Sequence, residues 1–67
     1  MVHTPIRILL ADDHNILRDG MRLLLERQAG FAVVGEAADG REVVQLAQEQ
    51  TPDVVVMDIA MPNMQRD

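Results

Sequence analysis

Three short apolar segments alternate along this chain with two longer segments of helical periodicity. The apolar segments are predicted as strands over residues 6–11, 31–37 and 53–58. The segments between them are predicted as helices over residues 15–29 and 40–50. Parallel strands need a crossover connection, usually a helix, so a β-α-β-α-β order predicts an α/β fold with a parallel sheet.

The first helical segment carries a repeating apolar pattern and ends near a glycine. Its apolar residues recur at the spacing of one helix face, which predicts a buried stripe made of Leu17, Met21, Leu24 and Leu25. Gly30 suits the position just after a helix, where the left-handed conformation is common.

The second helical segment has recognisable signals at both ends. Asp39 and Glu42 have the spacing of a capping box, with Asp39 as N-cap and Glu42 three residues later. The helix is expected to stop at Thr51, because the residue before a proline is pushed out of the right-handed helical region. The continuous apolar run that follows, VVVM, predicts a strand buried on both faces.

Composition limits the functions open to the chain. With 67 residues it is at most one small domain, and without Cys it has no disulfide or thiolate metal site. The net charge is -5 and every basic residue is Arg, which argues against nucleic-acid binding by this segment. No apolar run approaches the roughly 20 residues of a membrane span, and the acidic N-terminal region is a poor signal peptide. The expected protein is soluble and cytoplasmic.

Carboxylates follow two of the predicted strands directly. Asp12 and Asp13 follow the first strand, and Asp58 ends the third. If these strands are parallel neighbours, their carboxyl ends meet at one edge of the sheet, where ligands of open α/β sheets bind. Three like charges there repel one another, and a hard divalent cation such as Mg²⁺ relieves that repulsion. Simple helix capping by Asp12 or Asp13, and turn capping by Asp58, remain as alternatives.

Two long stretches carry a family resemblance. The segments ILLADDHNILRDGMRLLLE and VVGEAADGREVVQLAQEQTPDVVVMDIAMPNM resemble the N-terminal half of a response-regulator receiver domain of the NarL/FixJ type. The resemblance implies a truncated flavodoxin-like (CheY-like) fold with these strands in the order 2-1-3. It also implies that residues 1–67 form a partial receiver domain and that the DNA-binding output domain is absent.

The resemblance assigns roles to four residues. Asp58 matches the phosphoacceptor and Asp13 the direct Mg²⁺ ligand, while Asp12 matches the acid that helps to hold the metal through water. Ala60 matches the position whose backbone carbonyl binds the metal. These roles imply a signalling domain rather than an enzyme, with Mg²⁺ as cofactor. In the parent protein a histidine kinase would donate the phosphoryl group to control transcription.

The chain also departs from the family pattern. It has no counterpart of the Ser/Thr and Lys that contact the phosphoryl group, and it contains no Lys at all. Weak or absent phosphorylation is therefore expected, with no full switch. In the order 2-1-3 the third strand is an edge, which predicts self-association, as a homodimer or larger. The alternative function is a self-associating half-domain with a vestigial acidic pocket. A haloacid-dehalogenase-type hydrolase is disfavoured, because that class needs D-x-D where this chain has adjacent aspartates.

Three further polar residues lie in or after the acidic segment that follows the first predicted strand. His14 is interpreted as a solvent-facing loop residue, with contact to a metal or phosphate as the alternative. Arg18 and Arg22 are predicted on the exposed side of the first helix. There they form either a kinase-docking surface or an ordinary solvated face, and the sequence leaves both readings open.

Overall fold

The computed structural model of the chain describes residues 4–57 and shows three strands and two helices in alternation. In chain order these elements are β1 (Ile6–Ala11), α1 (Asn15–Glu26), β2 (Phe31–Ala37), α2 (Gly40–Gln50) and β3 (Val54–Met57). The strands form one sheet in the order β2-β1-β3, and both pairs are parallel. The predicted truncated flavodoxin-like fold is confirmed. Among these residues no helix is long and apolar enough to cross a membrane.

The central strand β1 forms most of the core. Its last four residues, from Ile8 to Ala11, are almost fully buried. Leu9 and Ala11 pack against Val43 of α2, while Leu10 lines a cavity together with Met21 of α1. Since successive strand residues point to opposite faces, the two helices cover opposite sides of the sheet.

A bulge adjusts the pairing of β1 with β2. Ile8 pairs with Val33 but Leu9 pairs with Gly35, so Val34 is an extra residue on β2. A Cβ atom on Gly35 would lie 3.2 Å from Cδ1 of Leu9. Glycine at this position therefore lets the fully buried Leu9 side chain approach the β2 backbone.

Both end signals of α2 are confirmed. The Asp39 side chain accepts a hydrogen bond of 3.0 Å from the Glu42 amide, and Glu42 in turn accepts one of 2.7 Å from the Ala38 amide. The second bond goes to the residue before the N-cap rather than to the N-cap itself. Thr51 ends the helix outside the right-handed helical region, as predicted for a residue that precedes a proline. Its conformation is left-handed, with φ 45° and ψ 59°, which is rare for a β-branched residue.

The prediction that α1 extends to residue 29 is wrong, because the helix ends at Glu26. The Gln28 amide bonds to the Leu25 carbonyl, which tightens the chain into a turn. Gly30 has a positive φ of 93° and its carbonyl accepts a bond of 2.7 Å from the Ile6 amide. Gly30 thus joins the turn to the start of the sheet instead of sitting directly after the helix.

The predicted apolar stripe of α1 is only half correct. Met21 and Leu25 are partly buried against the sheet, whereas Leu17 is 53% exposed and Leu24 is 63% exposed. The third partly buried residue of α1 is Arg18. The sheet-facing side of α1 is therefore rotated from the predicted one and includes a charged residue.

Strand β3 begins at Val54, one residue later than the predicted segment 53–58. Asp53 lies just before it and exchanges two bonds of 2.8 Å with the backbone of Arg7. The two ends of β3 are exposed, so the prediction that this strand is buried on both faces is wrong for Val54 and Met57. Asp58, the last residue of the predicted strand, lies outside the described residues.

Candidate metal and phosphoacceptor site

The acidic residues after β1 lie at the carboxyl edge of the sheet. The Asp12 amide donates a bond of 3.0 Å to the carbonyl of Ala37, the last residue of β2. On the other side of β1, Ala11 is the register partner of Met57, the last residue of β3. Among the described residues, the carboxyl-terminal residues of all three parallel strands therefore lie side by side next to Asp12.

Asp12 is held by the loop that it begins. The residue is only 7% exposed, and its Oδ1 accepts a bond of 2.8 Å from the His14 amide. That backbone bond lowers the pKa of the Asp12 carboxyl below its ordinary value, and the nearby His14 ring and Arg18 charge act in the same direction against the effect of burial. Asp12 is therefore ionised at neutral pH and can serve as an anionic ligand.

Asp12, Asp13 and His14 converge on one point. His14 Nδ1 lies 3.0 Å from Oδ1 of Asp12 and 3.1 Å from Oδ1 of Asp13. The possible ligand atoms of the three residues all lie within 4.8 Å of one another. The His14 side chain is 67% exposed, as expected for a loop residue, yet it bridges both carboxylates.

The donor set suits Mg²⁺. Two oxygens bound to one Mg²⁺ at about 2.1 Å lie at most about 4.2 Å apart, so the loop needs little adjustment. Carboxylate oxygens are the hard ligands that this ion prefers, and the double positive charge of the ion offsets the repulsion between the carboxylates. Two other predicted site residues, Asp58 and Ala60, lie outside the described residues. Asp58 follows Met57 in the sequence as Asp12 follows Ala11.

The prediction that Arg18 lies on the exposed side of α1 is wrong. Its side chain is only 15% exposed and Nε lies 3.0 Å from Oε1 of Glu36 on β2. Arg22 is exposed as predicted and its Nη1 also binds the Glu36 carboxylate. A kinase-docking role for Arg18 and Arg22 together loses support, because Arg18 is turned towards the sheet.

Sequence reasoning missed the part played by Glu36. Glu36 is the one charged residue in the segment FAVVGEA, and Arg18 and Arg22 are one helical turn apart. A lone carboxylate within a strand next to an i, i+4 arginine pair is a signal for an ion pair between strand and helix.

The two arginines shift the titration of Glu36. The hydrogen bond from Arg22 is the main cause that lowers the pKa of the Glu36 carboxyl, with a further bond from Arg18, and burial acts in the opposite direction. The same bond to Glu36 raises the pKa of Arg22. The charged form of Glu36 is therefore favoured in the folded state.

A loss of stability in acid is expected from this arrangement. Because the folded-state pKa of Glu36 is lowered, its contribution is present above the unfolded-state value of about 4.3 and is lost as pH falls through the lower folded-state pKa. Urea unfolding followed by circular dichroism from pH 3 to 7 measures it. Glu36→Gln should flatten this pH dependence, whereas Glu49→Gln, which removes a carboxylate from the exposed side of α2, should leave it steep. Equal slopes in the two variants would contradict the assignment.

Comparison with known proteins places the chain in a family. The profile described as response regulator receiver domain matches residues 8–65. Transcriptional regulatory protein LiaR of Bacillus subtilis is 51% identical over 59 residues, which cover 88% of this chain and 28% of that protein.

Two solved structures share the fold. A two-component response regulator of the LuxR family from Aurantimonas sp. SI85-9A1 superposes with a TM-score of 0.84 at 53% identity, over 90% of this chain and 43% of that one. The response regulator domain of Thermotoga maritima CheB gives a TM-score of 0.86 at 43% identity, over 91% of this chain and 46% of that one. The chain thus spans less than half the length of these relatives.

Proposed function

The chain belongs to the response regulator receiver domain family, and we propose that Asp58 is its phosphoacceptor. In this proposal Asp13, Asp58 and the Ala60 carbonyl hold Mg²⁺, and Asp12 helps through water. The phosphoryl group comes from a sensor histidine kinase, and the parent protein uses the modified domain to control transcription. The domain acts as a signalling module rather than an enzyme.

The register at the carboxyl edge of the sheet is the observation that carries this proposal. Met57 is the partner of Ala11, and the acidic pair follows Ala11 directly. Asp58 is the next residue after Met57. Sequence order and register together support a third carboxylate at the same edge, where open α/β sheets bind their ligands.

The chemistry assigned to these residues is a group transfer. A carboxylate oxygen of Asp58 attacks phosphorus and forms an O–P bond, while the P–N bond of the donor phosphohistidine breaks. The electron pair of that bond returns to the imidazole nitrogen, which then takes a proton from solvent. Bound Mg²⁺ supplies positive charge that offsets the charges of the carboxylates and the phosphoryl group. Asp12 and Asp13 keep that charge beside the nucleophile.

Intact-mass analysis tests the proposal. The chain is incubated with a small-molecule phosphodonor with and without Mg²⁺, beside an Asp58→Asn control. We expect a phosphoryl adduct that needs Mg²⁺ and is missing from the control. The yield should be low, because the chain contains no Lys to bind the phosphoryl oxygens. No adduct on a chain shown to be folded would contradict phosphoacceptance by this segment and would favour the second candidate below.

A second candidate is a self-associating half-domain without signalling activity. Among residues 4–57, β3 has a neighbouring strand on one side only, and its sequence VVVM carries no charge. Such an edge is a template for pairing with another chain. Several apolar side chains of α1 are also exposed, including Leu17, Leu23 and Leu24.

Sedimentation velocity at micromolar concentration separates the two candidates when it is combined with the labelling experiment. A homodimer or larger species without any Mg²⁺-dependent adduct supports the second candidate. A folded monomer that is labelled supports the first candidate and rules out self-association. A labelled dimer combines the phosphoacceptor function with pairing through the exposed edge.

A further inference from the structure

We propose that Arg18 is a positioning residue that fixes the loop carrying Asp12 and Asp13 in the arrangement a divalent cation needs. The inference rests on the proposed function, because it concerns the same acidic loop. It assigns a role to a side chain that contributes no ligand atom itself.

Arg18 connects three parts of the fold. Its Nη1 donates a bond of 2.6 Å to the backbone carbonyl of Asp12, and its Nη2 donates one of 2.8 Å to Oδ1 of Asn15 in the first turn of α1. Its Nε donates a bond of 3.0 Å to Oε1 of Glu36 on β2. One guanidinium thus joins the acidic loop, the start of α1 and the strand next to β1.

The choice of acceptor on Asp12 matters for metal binding. Arg18 bonds to the carbonyl of Asp12 and not, in the contacts just described, to its carboxylate. A guanidinium paired with the carboxylate would compete with a cation for the same oxygens. The bond to the carbonyl fixes the position of Asp12, and its carboxylate is not paired with the guanidinium.

Glu36 limits the electrostatic cost of this arrangement. A positive charge so close to the acidic loop opposes the binding of a second cation. Glu36 carries the compensating negative charge and its side chain is only 21% exposed, so water screens this pair less than a surface pair. The Arg18–Glu36 pair therefore provides fixed hydrogen-bond donors at little net charge.

The structure offers a matched control in Arg22. Arg22 also binds Glu36, but its other ion pair is with Glu26 of α1, 3.7 Å away, and its side chain is 47% exposed. Arg22→Ala therefore removes one arginine from the same carboxylate without touching the bonds that Arg18 makes to Asp12 and Asn15.

Amide NMR spectra of the full chain during a Mg²⁺ titration test the proposal, and they suit a chain without Trp or Tyr. Arg18→Ala should weaken Mg²⁺ binding about 10-fold or more, the usual effect of removing a group that orients a metal ligand. Arg18→Lys keeps the charge and most of the stem, but it cannot reproduce the planar fork, so it should also weaken binding. Arg22→Ala should change the affinity by less than about 2-fold, as surface substitutions do.

Hydrogen exchange without metal gives a second readout that does not depend on the proposed function. The amides of Asp12 and His14 should exchange faster in Arg18→Lys than the change in global stability explains, and Arg22→Ala should not show this. If Arg18→Ala does not fold, Arg18→Lys carries both measurements.

The two failures are distinguishable. A wild-type chain without any response to Mg²⁺ would contradict the proposed function, while the exchange rates still decide the role of Arg18. If the Arg18 and Arg22 variants give equal loop exchange rates, or equal Mg²⁺ affinities in a chain that binds the ion, the positioning role is overturned.

Discussion

An Asp13→Asn chain is expected to lose Mg²⁺ binding and, with it, the Mg²⁺-dependent labelling of the protein. Asp13 follows the buried Asp12 and directs a carboxylate oxygen at the point that His14 Nδ1 occupies. Asparagine keeps the shape but removes the charge, and a neutral amide oxygen is a far weaker ligand for a hard cation. Since loss of an outer-shell group alone costs about 10- to 100-fold, loss of this ligand should exceed about 100-fold in affinity.

Asp19→Asn is the matched control for Asp13→Asn. Asp19 lies on the exposed side of α1 and is not part of the Asp12–Asp13–His14 cluster. Its substitution removes the same charge from the chain, so it tests whether net charge alone explains the effect. Calorimetric Mg²⁺ titration should show near wild-type affinity for Asp19→Asn. Similar losses in the two variants would contradict the assignment of Asp13.

Replacing Leu9 by Ala should remove most of the free energy of unfolding of the chain. Leu9 is completely buried at the centre of β1 and packs in the cluster with Val43 and Leu46 of α2. A Leu→Ala change at such a site costs about 2–5 kcal/mol, from lost transfer free energy and from the cavity that remains. A small domain has a total stability near the lower end of about 5–15 kcal/mol, so this loss removes most of it.

Leu23→Ala is the control for the core substitution. Leu23 is 62% exposed on α1, and surface substitutions usually change stability by less than about 0.5 kcal/mol. Urea unfolding monitored by circular dichroism compares the two variants. A Leu9→Ala chain with a wild-type midpoint would show that β1 is not the centre of the core.

The strands were the most predictable part of this fold. β1 and β2 begin and end where the apolar segments predicted, because helices cover both sides of the sheet and an apolar run then marks the length of a strand. The capping signals located α2 for a similar local reason, since Asp39 satisfies a backbone donor three residues away. Both signals depend on neighbours in the sequence.

The face and the end of α1 depend on distant contacts. Leucines at several positions made more than one buried face compatible with the periodicity, and the choice was made by Glu36 on β2, which binds Arg18 and Arg22. The turn after the helix is joined to the sheet by the bond from the Ile6 amide to the Gly30 carbonyl. Neither partner is visible in the helix sequence itself.

The candidate site was predictable in part. The placement of Asp12 and Asp13 at the carboxyl edge of the sheet follows from the strand order, and the structure confirms it. The roles of Asp58 and Ala60 stay predictions, since both lie outside the described residues. The ion pair between Arg18 and Glu36 was not predicted, because the two residues lie 18 positions apart in the sequence, on different elements.

Locating the phosphoryl group on the chain tests the central claim most directly. The chain is phosphorylated with a small-molecule donor in the presence of Mg²⁺, the acyl phosphate is reduced with borohydride, and the altered residue is identified by fragmentation mass spectrometry. The account predicts modification of Asp58 alone. Modification of Asp12 or Asp13 instead, or an even distribution over surface carboxylates, would contradict it.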